Sequence, residues 1–425
     1  LPVAPWPWPW LLSCCLAFVL GLACSAGGGK ASSAGLHPIA APADNVVQVH
    51  VDFGLDDSVY INGLFATVTL CVPGTDQCQD VEHVLVDTGS SGLRVMGSAL
   101  RVKLPTLTND QGGTLAACGQ FVGGFTWGPM ATADFRMGTK SVANLAVHII
   151  DKTNFPVPAD CTGFDAGDPE SLRANGILGI GMQRQDCGVA CTPEPPRGYK
   201  NPKIYYACAS SQEGECTATT VPLAKQLANP VPLFAQDNNG TIIQLPPVPD
   251  QGAERVEGAL VFGIGTRDNN GRGDAHVIRL DEIGLFQSRY KSEDWTDAFI
   301  DSGSNGMYFL DSETAKIPTC DEPLEDFYCP SSTKNVTAEA QSTYGLDAIS
   351  IRFSVANVLA LVRSSGNNVA FNNLAGPSAA PQSGSDTSSF LSYFDYGLPF
   401  FYGRNVYTSI EDQPTPIGAT PFVAF

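Results

Sequence analysis

Downstream of residue 44 the chain alternates short apolar runs with turn residues. Examples are VVQVHVDF (46–53), LFATVTLCV (64–72), HVLVDTG (83–89), ALVFGIG (259–265) and AISIRFSVA (348–356). β-Branched and aromatic side chains fit a pleated, half-buried surface, so such runs predict short strands punctuated by Gly, Pro, Asn and Asp. Sustained helical periodicity is nearly absent, and 43 Gly with 31 Pro provide for many turns. The pattern therefore predicts a mainly-β protein. Two polar stretches, 193–218 and 364–389, read instead as surface loops.

The N-terminal pattern is different. WLLSCCLAFVLGLAC, Trp10 to Cys24, is continuously apolar for about fifteen residues, short for a bilayer span and suited to a signal-peptide core. It ends at Cys24 and passes into SAGGGKASSAG. This predicts a signal segment over 1–24 of lipoprotein type with Cys24 acylated, followed by a flexible tether over 25–43. The protein is then exported, to the periplasm or outer membrane, and meets a membrane only through the lipid on Cys24. Plain secretion is the alternative.

Cysteine usage agrees with export. Without Cys14, Cys15 and Cys24, ten of the 13 cysteines remain, an even number that suits an oxidising compartment. Sequence neighbours suggest Cys71–Cys78, Cys187–Cys191, Cys208–Cys216 and Cys320–Cys329, and elimination leaves Cys118–Cys161. Spacing alone leaves the connectivity open, although VTLCVPGTDQCQDV reads as two strands about a PGTD turn that sets Cys71 opposite Cys78.

Charge and histidines narrow the chemistry. The 43 acidic and 24 basic residues give a net charge of −19, which repels phosphate backbones and speaks against nucleic-acid binding. No CxxC or HExxH occurs, and the five histidines (His37, His50, His83, His148, His276) show no helical pairing, so neither a metal nor another cofactor is expected.

The chain also repeats itself. VLVDTGSSGLRV (84–95) places Asp87 after three apolar residues, and AFIDSGSNGMYFL (298–310) does the same for Asp301. Each copy is followed by an apolar pair and glycine, Ile177-Leu178-Gly179 and Phe401-Tyr402-Gly403. Two similar units are implied, 44–250 and 251–425. A single copy is compatible with a strand ending in a tight turn, its Asp bonded to local N–H groups. Two copies in register instead point to paired carboxylates meeting across a pseudo-twofold axis. Carboxyls that close share one proton, making one the base and the other the acid. Thr88 and Ser302 can brace the two loops, Gly89 and Gly303 admit backbone N–H groups, and Ser90 and Ser304 can bond the outer oxygens.

VDTGSSGL and IDSGSNG, with their closing segments, resemble the two halves of pepsin-type aspartic peptidases. GQFVGGFTWGPMATADFR, IDSGSNGMYF and GLPFFYGRNVYTSIE are similar to a group of bacterial exported pepsin-like proteins. The resemblance covers most of the chain. It implies a bilobal fold of two β-barrel-like lobes with an interlobe cleft, Asp87 and Asp301 as catalytic dyad, a peptide or protein substrate in the cleft, and a monomer. It also implies that FTWGPMAT (125–132) is a flap, with Trp127-Gly128 where the family has Tyr-Gly. The plainer alternative for Trp127 is an aromatic packed beneath a hairpin. Two positions depart from the family: Arg94 replaces a Trp whose bonding sets the flap, and Arg404 follows Gly403 where Asp is usual. Both Asp motifs are complete, which favours an active endopeptidase over a silent binding module for peptide or cell-wall ligands. Two motifs in one chain argue against a single-motif peptidase completed by dimerisation.

Overall fold

In the computed structural model, residues 39–425 are described except 56–58, 210–214, 292, 344, 346–347, 365 and 379–392. The expected signal segment and Cys24 lie outside these residues. Strands dominate, as the alternation predicts. One sheet of fifteen strands runs from Cys216–Ala218 at one edge to Val277–Arg279 at the other, and a second of seven runs from Ala348–Val355 to Ala375–Gly376. The longest α-helix among the described residues is Val358–Ser364, and none is long and apolar enough to cross a membrane.

Burial follows the period of a pleated strand. In Lys334–Gln341, Val336, Ala338 and Ala340 face inward while Asn335, Thr337 and Glu339 face out. The strand Ser91–Met96 is buried at every position, as a central strand covered on both faces must be. Behind Asp301, Phe394 stacks between Phe309 and Tyr396, with ring centroids 5.2 and 4.6 Å away. Each such ring removed from water contributes roughly 1.5–3 kcal/mol, which fixes the strand ends that carry the acid.

The larger sheet draws on both halves of the chain. Val46–Val51 pairs antiparallel with Val256–Phe262, and Gly240–Gln244 pairs with Asn405–Ser409. Part of the expected loop 193–218 is also strand. Tyr205–Cys208 and Cys216–Ala218 extend the large sheet through Thr114–Phe121 because Tyr205 and Tyr206, 0% and 2% exposed, bury against it. The two tyrosines outweigh the polar composition around them.

All five expected disulfides form. Cys71 and Cys78 face each other in register with Cα atoms 3.9 Å apart, as do Cys208 and Cys216 at 4.1 Å. Cys118–Cys161 spans 43 residues and anchors the hairpin strand Thr114–Phe121 to the segment after Ile150. Replacing both cysteines with serine should lower stability by roughly 2–4 kcal/mol through the freed unfolded chain. Urea unfolding under non-reducing conditions checks this, and an unchanged midpoint would refute it.

Candidate active site

Asp87 ends the strand Cys78–Asp87 of the large sheet, and Asp301 follows Glu293–Ile300 of the small one. The loops after these strands grip each other. Thr88 N–H donates to Ser302 Oγ at 3.2 Å, and Ser302 N–H donates to Thr88 Oγ1 at 2.9 Å. The hydroxyls pass the exchange on, Thr88 Oγ1 to Ile300 O at 3.3 Å and Ser302 Oγ to Val86 O at 2.7 Å. With Ser302 fully buried and Thr88 7% exposed, these bonds lock the loops in a twofold arrangement.

The lock brings the carboxyl groups of Asp87 and Asp301 onto one shared donor, the N–H of Gly89. Gly89 N–H donates to Asp87 Oδ1 at 2.8 Å and to Asp301 Oδ1 at 3.1 Å, while Gly303 N–H donates to Asp301 Oδ1 at 2.7 Å. Only glycine fits at these points. A Cβ on Gly89 would lie 2.7 Å from Asp301 Cγ, and one on Gly303 would lie 2.8 Å from Asp87 Oδ1. Ser90 Oγ donates to Asp87 Oδ2 at 2.5 Å and Ser304 Oγ to Asp301 Oδ2 at 3.0 Å. Burial, then the charges of Asp87 and Asp395, hold the Asp301 carboxyl well above the usual range. Such an arrangement can keep one carboxyl protonated beside an ionised one.

The closing segments need one correction. In the first half Val86 pairs parallel with Leu178 and Asp87 with Gly179, while Leu93 crosses Leu178 antiparallel. In the second half Ile300 pairs parallel with Tyr396, and Met307 crosses Tyr396 antiparallel. The counterpart of Ile177-Leu178-Gly179 is therefore Asp395-Tyr396-Gly397, not Phe401-Tyr402-Gly403. A buried acid interrupts the apolar pair, so a search for two apolar residues before glycine passes over it. The position after the closing glycine is accordingly Leu398. Arg404 instead lies 4.5 Å over the Phe400 ring and donates from Nη1 to Phe400 O at 2.6 Å.

Trp127 and Gly128 lie in the hairpin strand Gly124–Met137, paired with Thr114–Phe121. Trp127 is 1% exposed, stands edge-on to Tyr206 at 5.3 Å, and donates from Nε1 to Phe155 O at 3.0 Å. It occupies the packed position beneath the hairpin. The Tyr60 phenol is held up by burial and by the charges of Asp301 and Asp87.

Residues 41–425 match a family described as "Protein of unknown function (DUF3443)". The chain belongs to this family. Among solved structures it is similar to the crystal structure of an aspartic proteinase from Irpex lacteus. The identity is 12%, the TM-score 0.48, and 89% of this chain and 96% of that chain are covered. No curated protein matches it.

In this family member Arg94 is an interior cation. It is 4% exposed, donates from Nη1 to Ser91 O at 2.9 Å and from Nη2 to Asp186 Oδ2 at 3.2 Å, and stands 5.3 Å from the Phe121 ring. Tyr205 donates to the other oxygen of Asp186 and accepts from Leu227 N–H at 2.8 Å. A Cβ on Gly119 would come within 2.8 Å of Arg94 Nε, so the guanidinium lies directly under the hairpin. Burial raises the Asp186 carboxyl to about 6, against the opposing pull of Arg94 and Tyr205. A carboxyl raised on folding binds its proton more tightly in the native state, so its contribution is fullest below about 4 and fades as pH rises to about 6. At 1.36 kcal/mol per pH unit the displacement corresponds to roughly 3 kcal/mol. Asp186→Asn should flatten that part of the curve of unfolding free energy against pH, and a curve identical to wild type would contradict it.

Two groups near or beyond the pair were not foreseen from the sequence. Asn62, fully buried at a φ of 55°, donates to Asn305 O at 2.8 Å and Phe371 O at 3.0 Å, pinning the turn beside Tyr60 to the loop after Ser304. His50, Asp52 and His83 converge with ligand-capable atoms within 4.8 Å of one another, the one metal-compatible group among the described residues. Arg255 Nη1 already bonds Asp52 Oδ2 at 2.6 Å, so a cation holds one of the available oxygens. A cavity of about 380 Å³, lined by Leu100, Leu104, Met130 and Asp151 among others, includes none of the paired-acid residues.

Proposed function

We infer that this protein is an exported aspartic endopeptidase that uses Asp87 and Asp301 as one proton-sharing pair. The observation that carries the reading is that both carboxyls accept from Gly89 N–H inside a reciprocal Thr88–Ser302 lock. Two carboxylates in contact cannot both be charged, so one member is base and the other acid. The ionised carboxylate takes a proton from water as the water oxygen bonds to the scissile carbonyl carbon, and the protonated carboxyl gives its proton to the carbonyl oxygen. The resulting gem-diol collapses when the base returns its proton to the amide nitrogen. The C–N bond breaks, and a diol hydroxyl re-protonates the other carboxylate. Atoms and protons balance with no covalent intermediate.

The substrate is a peptide or protein segment lying between the two halves, and the protein works as a monomer in the periplasm or at the outer membrane. A statine-type peptide, whose hydroxyl stands where the attacking oxygen would be, tests the reading by calorimetry near pH 4.5. It should bind at least ~10²-fold more tightly than the same peptide lacking the hydroxyl, as mimics of a transition state do. Equal affinities would instead identify a groove that holds peptides or cell-wall material without turning them over.

A further inference from the structure

Outside the paired acids, His50, Asp52 and His83 form a compact set of ligand-capable side chains that peptide hydrolysis does not use. His50 lies near the end of the strand Val46–Val51, Asp52 directly follows that strand, and His83 lies in Cys78–Asp87. Phe65, on the strand between them, pairs with His50 on one side and Leu85 on the other. The two imidazoles meet edge to face with ring centroids 5.5 Å apart. The fully buried Phe65 ring stands 6.2 Å from His50 and 5.2 Å from His83, an apolar floor of the kind that limits solvent beside a metal ligand.

The backbone is shaped to present His83. Ala66 pairs with Val84 and Val68 with Val81, so Glu82 and His83 together stand opposite Thr67 as a bulge. Val81 and Val84 both enter the core, while His83, at a φ of 51°, stands with Phe65. A non-glycine residue in the left-handed region is disfavoured and persists only where its surroundings enforce it. Here Asn175 enforces it, donating from its backbone N–H to His83 O and from Nδ2 to Glu82 O, both at 2.9 Å.

The spacing fits an ion. His50 Nε2 lies 3.4 Å from Asp52 Oδ2 and His83 Nε2 lies 3.3 Å from Asp52 Oδ1, and one ligand atom from each residue lies within 4.8 Å of the others. These separations exceed the ~2.7–2.9 Å of a charge-assisted hydrogen bond. They match the edge, about 3.3 Å, of a tetrahedron of N and O ligands around zinc. The carboxylate is also held from outside. Gly54 N–H donates to Asp52 Oδ1 at 3.0 Å, Arg255 Nη1 donates to Oδ2 at 2.6 Å, and Arg255 Nε donates to Glu257 Oε1 at 2.5 Å. Each Asp52 oxygen keeps a lone pair, Glu257 offsets the Arg255 charge, and outer bonds of this kind orient a ligating carboxylate.

We propose that His50 Nε2, His83 Nε2 and the Asp52 carboxylate bind one zinc-like divalent cation. Two imidazoles with a carboxylate suit zinc, whereas magnesium and calcium favour oxygen alone. Three protein ligands leave a coordination position to water. The ion ties the end of Val46–Val51, which pairs with Val256–Phe262 of the second half, to the strand that ends in Asp87. The site does not depend on the peptidase reading.

The test is calorimetric titration of chelator-treated, full-length protein with ZnCl2 at about pH 7.5, where imidazoles are mostly neutral. Wild type should bind zinc at this site, and excess MgCl2 should not compete. His50→Gln and His83→Asn should each weaken that binding at least ~10-fold, since loss of even an outer partner costs this much. Asparagine is chosen at 83 because it tolerates the left-handed backbone. Co2+ in place of zinc should give wild type, and neither variant, the visible absorption of a low-coordinate ion. Wild-type protein that binds no zinc overturns the proposal. Zinc binding at wild-type affinity in either variant that folds also overturns it, because the ion then sits elsewhere, for example on Cys14, Cys15 or Cys24.

Discussion

Asp87→Asn should give a folded protein whose peptide hydrolysis is lower by roughly 10²–10⁴-fold, the range for loss of a positioned general base. Asparagine keeps the shape of the side chain and an oxygen for Gly89 N–H, now 2.8 Å away, and leaves the Thr88–Ser302 lock untouched. The variant should therefore melt close to wild type. What it lacks is an atom that can take a proton from water. Asp301→Asn should lose activity to a similar degree, because the carbonyl oxygen then receives no proton. Initial rates on a common peptide, with circular dichroism as the control for folding, check both. A folded Asp87→Asn that retains more than about a tenth of the wild-type rate would be incompatible with this role.

At about pH 8, above the Asp186 titration, Arg94→Met is expected to destabilise the protein by roughly 3–5 kcal/mol, because it strands Asp186 as a buried charge without its cation. The ion pair sits where both side chains are 5% exposed, under a hairpin strand that closes against Gly119 and Phe121. Little solvent reaches it to screen the loss. In the double variant Arg94→Met/Asp186→Leu both charges are gone, and most of the stability should return. The comparison of the single and double variants by urea unfolding isolates the pair. A single variant within about 1 kcal/mol of wild type would show that Asp186 is satisfied without Arg94.

Much of this arrangement was legible in the amino-acid order because it depends on local signals. Strand periodicity, the Cys71–Cys78 hairpin and the echo of VDTGSSG in IDSGSNG all rest on neighbours a few residues apart, and the structure brings the two acids of the echo together. The features that were not legible involve residues brought together from a distance. Asp395 carries no local signal, and only the pairing of Ile300 with Tyr396 and of Met307 with Tyr396 makes it the equivalent of Ile177 in the first half. Asn62 donates to carbonyls of Asn305 and Phe371, more than two hundred residues away. Trp127 was ambiguous because an indole satisfies a packed site and an exposed one equally well by composition, and its bond to Phe155 O identifies the packed one. Tyr205 and Tyr206 were obscured by a polar, proline-rich setting that burial overrides.

The most direct measurement is the rate of cleavage of a diverse peptide library between about pH 3 and 6, with wild-type protein and Asp87→Asn side by side. Paired carboxyls that work with one proton between them predict a bell-shaped profile for wild type, falling on the acid side as the base is protonated and on the alkaline side as the acid is lost. The variant should stay near background throughout. An intact library under folded wild-type protein, or equal cleavage by the variant, would contradict catalysis by Asp87 and Asp301.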